Sequence, residues 1–161
     1  MNKQHRIAII DYKMSNMFSL KNTLDFLGAD SVVTADYRDI ESADGVILPG
    51  VGAFPEAVKH IANLGLEGSI KDYIGSGKPF MGICLGLQLL FSTSEEYGYT
   101  DGLGIIEGTV ESFSKHEGIA RIPHTGWNRI RKRKNIEPGV VTYDPLKEVS
   151  DGEHFYFVHS F

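Results

Sequence analysis

Apolar residues in the first half of the chain fall into short runs separated by amphipathic stretches. Ile7-Ala8-Ile9-Ile10 is a buried-strand pattern ending at Asp11-Tyr12. Ser15 or Asn16 can cap the helix that follows, in which Met17, Leu20, Leu24 and Leu27 keep helical spacing until Gly28 stops it. Ser31 to Thr34 predicts a second strand, and Gly45 to Leu48 a third, cut off by Pro49-Gly50. Ala53 to Leu64 predicts a helix with Ala57, Val58, Ile61 and Leu64 on one face, and Leu66 to Ile74 another. Phe80 to Ile83 reads as a strand, and Leu85 to about Phe91 as the helix after it. Uniformly apolar strands alternating with helices indicate a parallel sheet covered on both faces.

The pattern changes after Gly98. Ile106 to Phe113, Ile119 to Ile122, Val140 to Tyr143 and Phe155 to Ser160 look like strands with no helices between them. The expectation is an α/β fold: a flavodoxin-like open parallel sheet with helices on both faces and an antiparallel addition in the C-terminal half. No internal repeat, low-complexity segment or linker interrupts residues 1–161, which read as a single domain.

Composition narrows the function classes. The net charge of −5 gives no global electrostatic case for nucleic acid. The basic run Arg129-Ile130-Arg131-Lys132-Arg133-Lys134 is short, lacks interleaved aromatics and reads as a solvated hairpin rim, with docking to an acidic partner face as the other use. No apolar run is long enough for a membrane span, and the N-terminus lacks a signal-peptide pattern. One cysteine excludes an internal disulfide framework and fits a cytoplasmic protein.

That cysteine carries the chemistry. Cys84 lies in Gly82-Ile83-Cys84-Leu85-Gly86, at a predicted strand-to-helix corner. A thiol there has helix N–H groups nearby, which favour the thiolate, and the flanking glycines allow a sharp turn and close substrate approach. A lone cysteine is ordinarily a small core residue. The glycines two residues before and after it shift the balance toward a nucleophile elbow. In an open α/β sheet ligands bind beyond the carboxyl ends of the strands. The loops there are Asp11 to Asn16, Pro49 to Phe54 and Gly82 to Gly86. Pro49-Gly50-Val51-Gly52 could turn backbone N–H groups into a cavity as an oxyanion hole requires; taken alone, it reads more readily as a plain glycine turn starting a helix. It matches neither a P-loop nor a dinucleotide fingerprint.

Pro49-Gly50-Val51-Gly52, Gly82-Ile83-Cys84-Leu85-Gly86-Leu87-Gln88, Ser94-Glu95-Glu96, Pro123-His124-Thr125-Gly126-Trp127-Asn128 and Tyr156-Phe157-Val158-His159-Ser160 occur in that order. Together with Ile10-Asp11-Tyr12 and Ser15-Asn16 they resemble the class I, triad-type glutamine amidotransferases, and among them the amidotransferase subunits of imidazole glycerol phosphate synthase. The resemblance runs from the first strand to the last residue. It implies that Cys84 attacks the glutamine amide, forms a glutamyl thioester and releases ammonia. The N–H groups of Leu85 and Val51 would hold the oxyanion, once a peptide unit in the Pro49–Gly52 strand has turned, which Gly50 makes easy. Gly50, Gly52, Gln88, Glu96, His159 and Ser160 would surround the substrate. Tyr12, Asn16, His124, Trp127 and Asn128 would lie at the interface with a (β/α)8 cyclase subunit, which receives the ammonia. No cofactor or metal is implied. Gln88 and Glu96 could instead be exposed helix positions, Trp127 could be core, and for His124 a simple loop role stays equally open.

The resemblance departs at several points. The family's triad histidine and glutamate come from a His-Pro-Glu motif, and none of the six histidines here precedes Pro-Glu. The expectation is that the chain is truncated after Phe161, and that the 161-residue chain alone is inactive as a glutaminase. Lys13 and Ser15 stand where relatives commonly carry glycine, and Thr125 where methionine is usual. Those changes leave room for a paralogue supplying ammonia for an amidino sugar of a surface polysaccharide. A non-catalytic binding relative is a further alternative, against which the intact elbow argues.

Overall fold

The computed structural model describes residues 5–118, 121–132 and 146–161. They form two compact units, Met1–Glu111 and Ser112–Phe161.

The first unit is built on a parallel sheet. Its strands are β1 (Arg6–Ile10), β2 (Asp30–Thr34), β3 (Gly45–Leu48) and β4 (Phe80–Gly82), in spatial order β2-β1-β3-β4. All three pairings are parallel, with Ile9 opposite both Val33 and Ile47, and Ile47 opposite Met81. Helix α1 (Met17–Phe26) begins at Asn16, whose side chain accepts from the Ser19 N–H at 3.2 Å. Gly28, at φ 72°, ends it in the left-handed conformation that glycine adopts without a Cβ penalty. Only Leu24 of α1 is buried; Met17 and Leu20 are half-covered and Leu27 is exposed, so its apolar stripe is less enclosed than the spacing predicts.

Helix α2 (Tyr37–Ser42) lies where no helix is predicted. It is short, with Asp36 as its N-cap accepting from the Arg38 N–H at 2.8 Å. Helices α3 (Phe54–Asn63) and α4 (Leu66–Gly75) match their periodicity. Phe54, Ala57 and Ile61 of the first and Leu66, Ile70 and Tyr73 of the second are buried. Leu64, placed on the inner face by spacing, is an exposed C-cap.

The helix after the elbow is shorter than predicted. Helix α5 spans Leu85–Gln88, and Phe91–Ser94 is strand β5, not helix. Distant donors explain the change: Leu103 N–H bonds to the Leu89 carbonyl at 2.8 Å, and Ile105 and Ile106 N–H bond to the Leu90 carbonyl at 2.9 and 2.8 Å. Those carbonyls are captured by the following segment, and the chain leaves the helix. Strands β6 (Thr100–Asp101) and β7 (Ile106–Val110) flank β5, antiparallel and parallel respectively. β7 stops at Val110, so the predicted strand through Phe113 ends early, in a 3-10 turn at Phe113–Lys115.

The second unit is an antiparallel ribbon of β8 (His124–Arg129) and β9 (His154–His159). β9 meets its prediction; β8 lies where no strand is predicted. Of the predicted strand Ile119–Ile122, Ile119 lies outside the described residues and Ile122 is a bend, and Val140–Tyr143 lies outside them altogether. No described helix is long and apolar enough to cross a membrane.

Lys13 has φ 70°, which explains why glycine suits that position. Its N–H and Nζ both bond Asp11, at 3.0 and 2.6 Å. Burial works to raise the Asp11 pKa, but these bonds and the Lys13 charge outweigh it and hold the carboxyl below its ordinary value. Lys13→Gly should raise stability by about 0.5 kcal/mol, since left-handed strain exceeds the worth of an exposed ion pair. A rise in the urea midpoint checks this.

Candidate active site

The predicted strand-to-helix corner at Cys84 is present in the backbone, between β4 and α5. Cys84 has φ 54° and ψ −118°, a conformation non-glycine residues rarely adopt. Such strain persists only where surrounding contacts impose it, and it clusters at functional sites. Here they are close. Ile83 N–H donates to the Leu48 carbonyl at 3.0 Å, tying the elbow to the end of β3. A Cβ on Gly86 would collide with that same Leu48 carbonyl oxygen, and would lie 2.7 Å from its carbon. The turn therefore packs backbone on backbone. Cys84 is exposed, which removes the core-residue reading.

Beside it runs the Pro49–Gly52 loop. Asn16, Ser19, Leu20, Thr23, Pro49, Gly50, Val51, Ile83 and Cys84 line an open depression of about 300 Å³. The structure thus brings Asn16, Gly50, Val51 and Cys84 of the predicted set together. Leu85 is buried at the first position of α5, where its N–H has no intrahelical acceptor. The Val51 N–H, however, donates to the Met14 carbonyl at 2.9 Å and is turned away from oxyanion duty. Met14 is a participant that sequence reasoning missed. Its contribution is a main-chain carbonyl, for which no side-chain signal exists.

Glu96 accepts the Phe54 N–H at 2.8 Å, capping α3, whose N-cap Ala53 offers no side chain. It is therefore not on an exposed helix. Gln88 ends the single turn of α5 and is half-buried. Gly52, at φ 111°, is exposed. Gly52, Gln88 and Glu96 do not line the depression around Cys84.

Tyr12 corrects an expectation. Predicted for a partner face, it is fully buried in the first unit, because the chain turns inward after β1. Burial, and secondarily the negative charge available at Cys84, push its phenol well above the ordinary tyrosine range.

In the second unit, Trp127 is 68 % exposed, so it is not a core residue. Its ring meets Tyr156 edge-on at 5.6 Å, directly across the ribbon. On the other face the Asn128 amide is 2.7 Å from His124 Nε2, which stands opposite His159. Ser160 follows, its carbonyl accepting from Phe113 N–H at 2.9 Å. Among the described residues no group of three metal-ligating side chains is assembled.

Comparison with known proteins decides the family. Residues 6–123 match the model of the CobB/CobQ-like glutamine amidotransferase domain. The chain is 43% identical over 155 residues to the imidazole glycerol phosphate synthase subunit HisH of Listeria monocytogenes serotype 4a, covering 96% of this chain and 70% of that one. It belongs to the HisH family of glutamine amidotransferases. The HisH subunit of Gloeothece citriformis is 47% identical over 157 residues, with the same two shares, 96% and 70%. A crystal structure described as a glutamine amidotransferase superposes with a TM-score of 0.63 at 17% identity, covering 94% of this chain and 70% of that one, and supports the fold.

Proposed function

We propose that this amidotransferase acts as a single domain that hydrolyses glutamine at Cys84 and passes the ammonia to a cyclase subunit. The observation that carries the reading is Cys84 itself, exposed and held at positive φ against the Pro49–Gly52 loop. In that mechanism Cys84 Sγ attacks the glutamine carboxamide carbon, and the tetrahedral oxyanion is held by the N–H of Leu85 and, once the Gly50–Val51 peptide has turned away from Met14, by that of Val51. Collapse breaks the C–N bond and releases ammonia; water then cleaves the thioester to glutamate and restores the thiol. For the substrate, the family resemblance assigns Gly50, Gly52, Gln88 and Glu96 in the first unit and His159 and Ser160 in the second, and of these Gly50 lines the depression beside Cys84.

The partner is a (β/α)8 cyclase, and the shared product chemistry is imidazole glycerol phosphate and AICAR in histidine biosynthesis. The HisH relatives favour this acceptor over an amidino sugar. Asn16, His124, Trp127 and Asn128 serve the partner face; the exposed Trp127–Tyr156 pair supports that use. A cytoplasmic site of action fits the biosynthetic reading.

A glutamine-analogue electrophile tests the central claim. Cys84 should be labelled, with glutamine suppressing the label in proportion to its occupancy. Labelling that glutamine leaves untouched would refute a substrate site at this cysteine.

A further inference from the structure

The turn from Asp11 to Asn16 contains an imbalance that the fold alone does not account for. Tyr12 Oη and Ser15 Oγ are both buried there without a hydrogen-bond partner, on either side of Met14. Met14 supplies the carbonyl that holds the Val51 N–H. Buried hydroxyls are nearly always paired, and one left unpaired carries a desolvation cost. The Tyr12 hydroxyl also lies against Gly50, whose Cβ, had it one, would collide with that oxygen. An unpaired donor therefore sits beside the peptide that has to turn.

We propose that Tyr12 is a positioning residue for the oxyanion hole: its hydroxyl, unpartnered while Met14 holds Val51, donates to the Gly50 carbonyl once the Gly50–Val51 peptide has turned over. The N–H and C=O of one trans peptide unit point in opposite directions. Swinging the Val51 N–H toward Cys84 therefore carries the Gly50 carbonyl to the side of the Asp11–Asn16 turn. Tyr12 waits there as a neutral donor, since burial keeps its phenol protonated. The rearrangement exchanges the Val51–Met14 bond for a Tyr12–Gly50 bond. It leaves behind a spare carbonyl at Met14, which is tolerated more readily than an orphaned donor.

The proposal rests on the glutaminase reading, so the test uses a probe that separates the two. Glutamate γ-semialdehyde, an aldehyde in place of the glutamine amide, adds the Cys84 thiol to its carbonyl; the S–C bond forms and the oxygen enters the oxyanion hole. Tyr12→Phe should weaken this adduct about tenfold, a fraction of what loss of an oxyanion donor itself costs. The Kd for glutamine should stay within about twofold, because ground-state binding does not use the hole. The urea midpoint should not fall, because the resting fold loses no bond. Equal adduct affinity in both proteins overturns the proposal, as does a lower midpoint with unchanged affinity, which would mark a hydroxyl serving only the resting fold. Site-specific 3-fluorotyrosine in place of Tyr12, a stronger donor of nearly the same shape, should tighten the adduct; no tightening also overturns it. Absence of any adduct in the unaltered protein overturns the glutaminase reading together with this one.

Discussion

Cys84→Gly is expected to abolish labelling by the glutamine-analogue electrophile, while raising the midpoint of unfolding. The first effect should be complete, because Cys84 is the one cysteine of the chain and the other side chains lining the depression are far weaker nucleophiles. The second follows from φ 54° and ψ −118° at Cys84. Glycine adopts that conformation freely, so about 1 kcal/mol of local strain is relieved. Cys84→Ala separates the two effects. It should lose the label to the same degree with no gain in stability, since alanine keeps a Cβ at the same strained angle. A glycine variant no more stable than the alanine one would mean that the elbow is not strained.

Gly86→Ala should produce the largest loss of stability of any single methyl addition in the first unit. The new Cβ would overlap the Leu48 carbonyl oxygen, and would stand 2.7 Å from Leu48 C and 3.1 Å from Pro49 C. All three are backbone atoms, so no side chain can rotate aside; either α5 lifts or the end of β3 moves. Overpacking against an unyielding neighbour costs about 3 kcal/mol or more. Gly75→Ala, where a Cβ meets nothing within 4 Å, is the matched control and should change the urea midpoint little. If Gly86→Ala behaved like that control, the close approach of α5 to β3 would be disproved.

The parallel core was legible from sequence because its strands are uniformly apolar and its glycines and prolines punctuate them. Elements fixed by distant partners were not. The chain leaves α5 because Leu103, Ile105 and Ile106 claim the Leu89 and Leu90 carbonyls, a competition no local window contains. α2 was short enough to hide, although Asp36 is an ordinary N-cap signal that was there to be read. His124-Thr125-Gly126-Trp127-Asn128-Arg129 has no β-branched apolar run, yet pairing with β9 makes it a strand. At the site, Cys84, Gly50 and Val51 were identifiable by residue type. The Met14 carbonyl and the burial of Tyr12 depend on how the first loop folds back, which composition does not encode.

The Leu48 carbonyl accepts Ile83 N–H while Gly86 is pressed against the same oxygen. The end of β3 and the nucleophile's turn are therefore pinned at one atom. Thermal motion carries them together, and the distance from Pro49 to Cys84 fluctuates little. Under the proposed mechanism the Gly50–Val51 peptide turns within that pinned frame, so the site would change its setting by one local rotation while Pro49 and Cys84 keep their spacing.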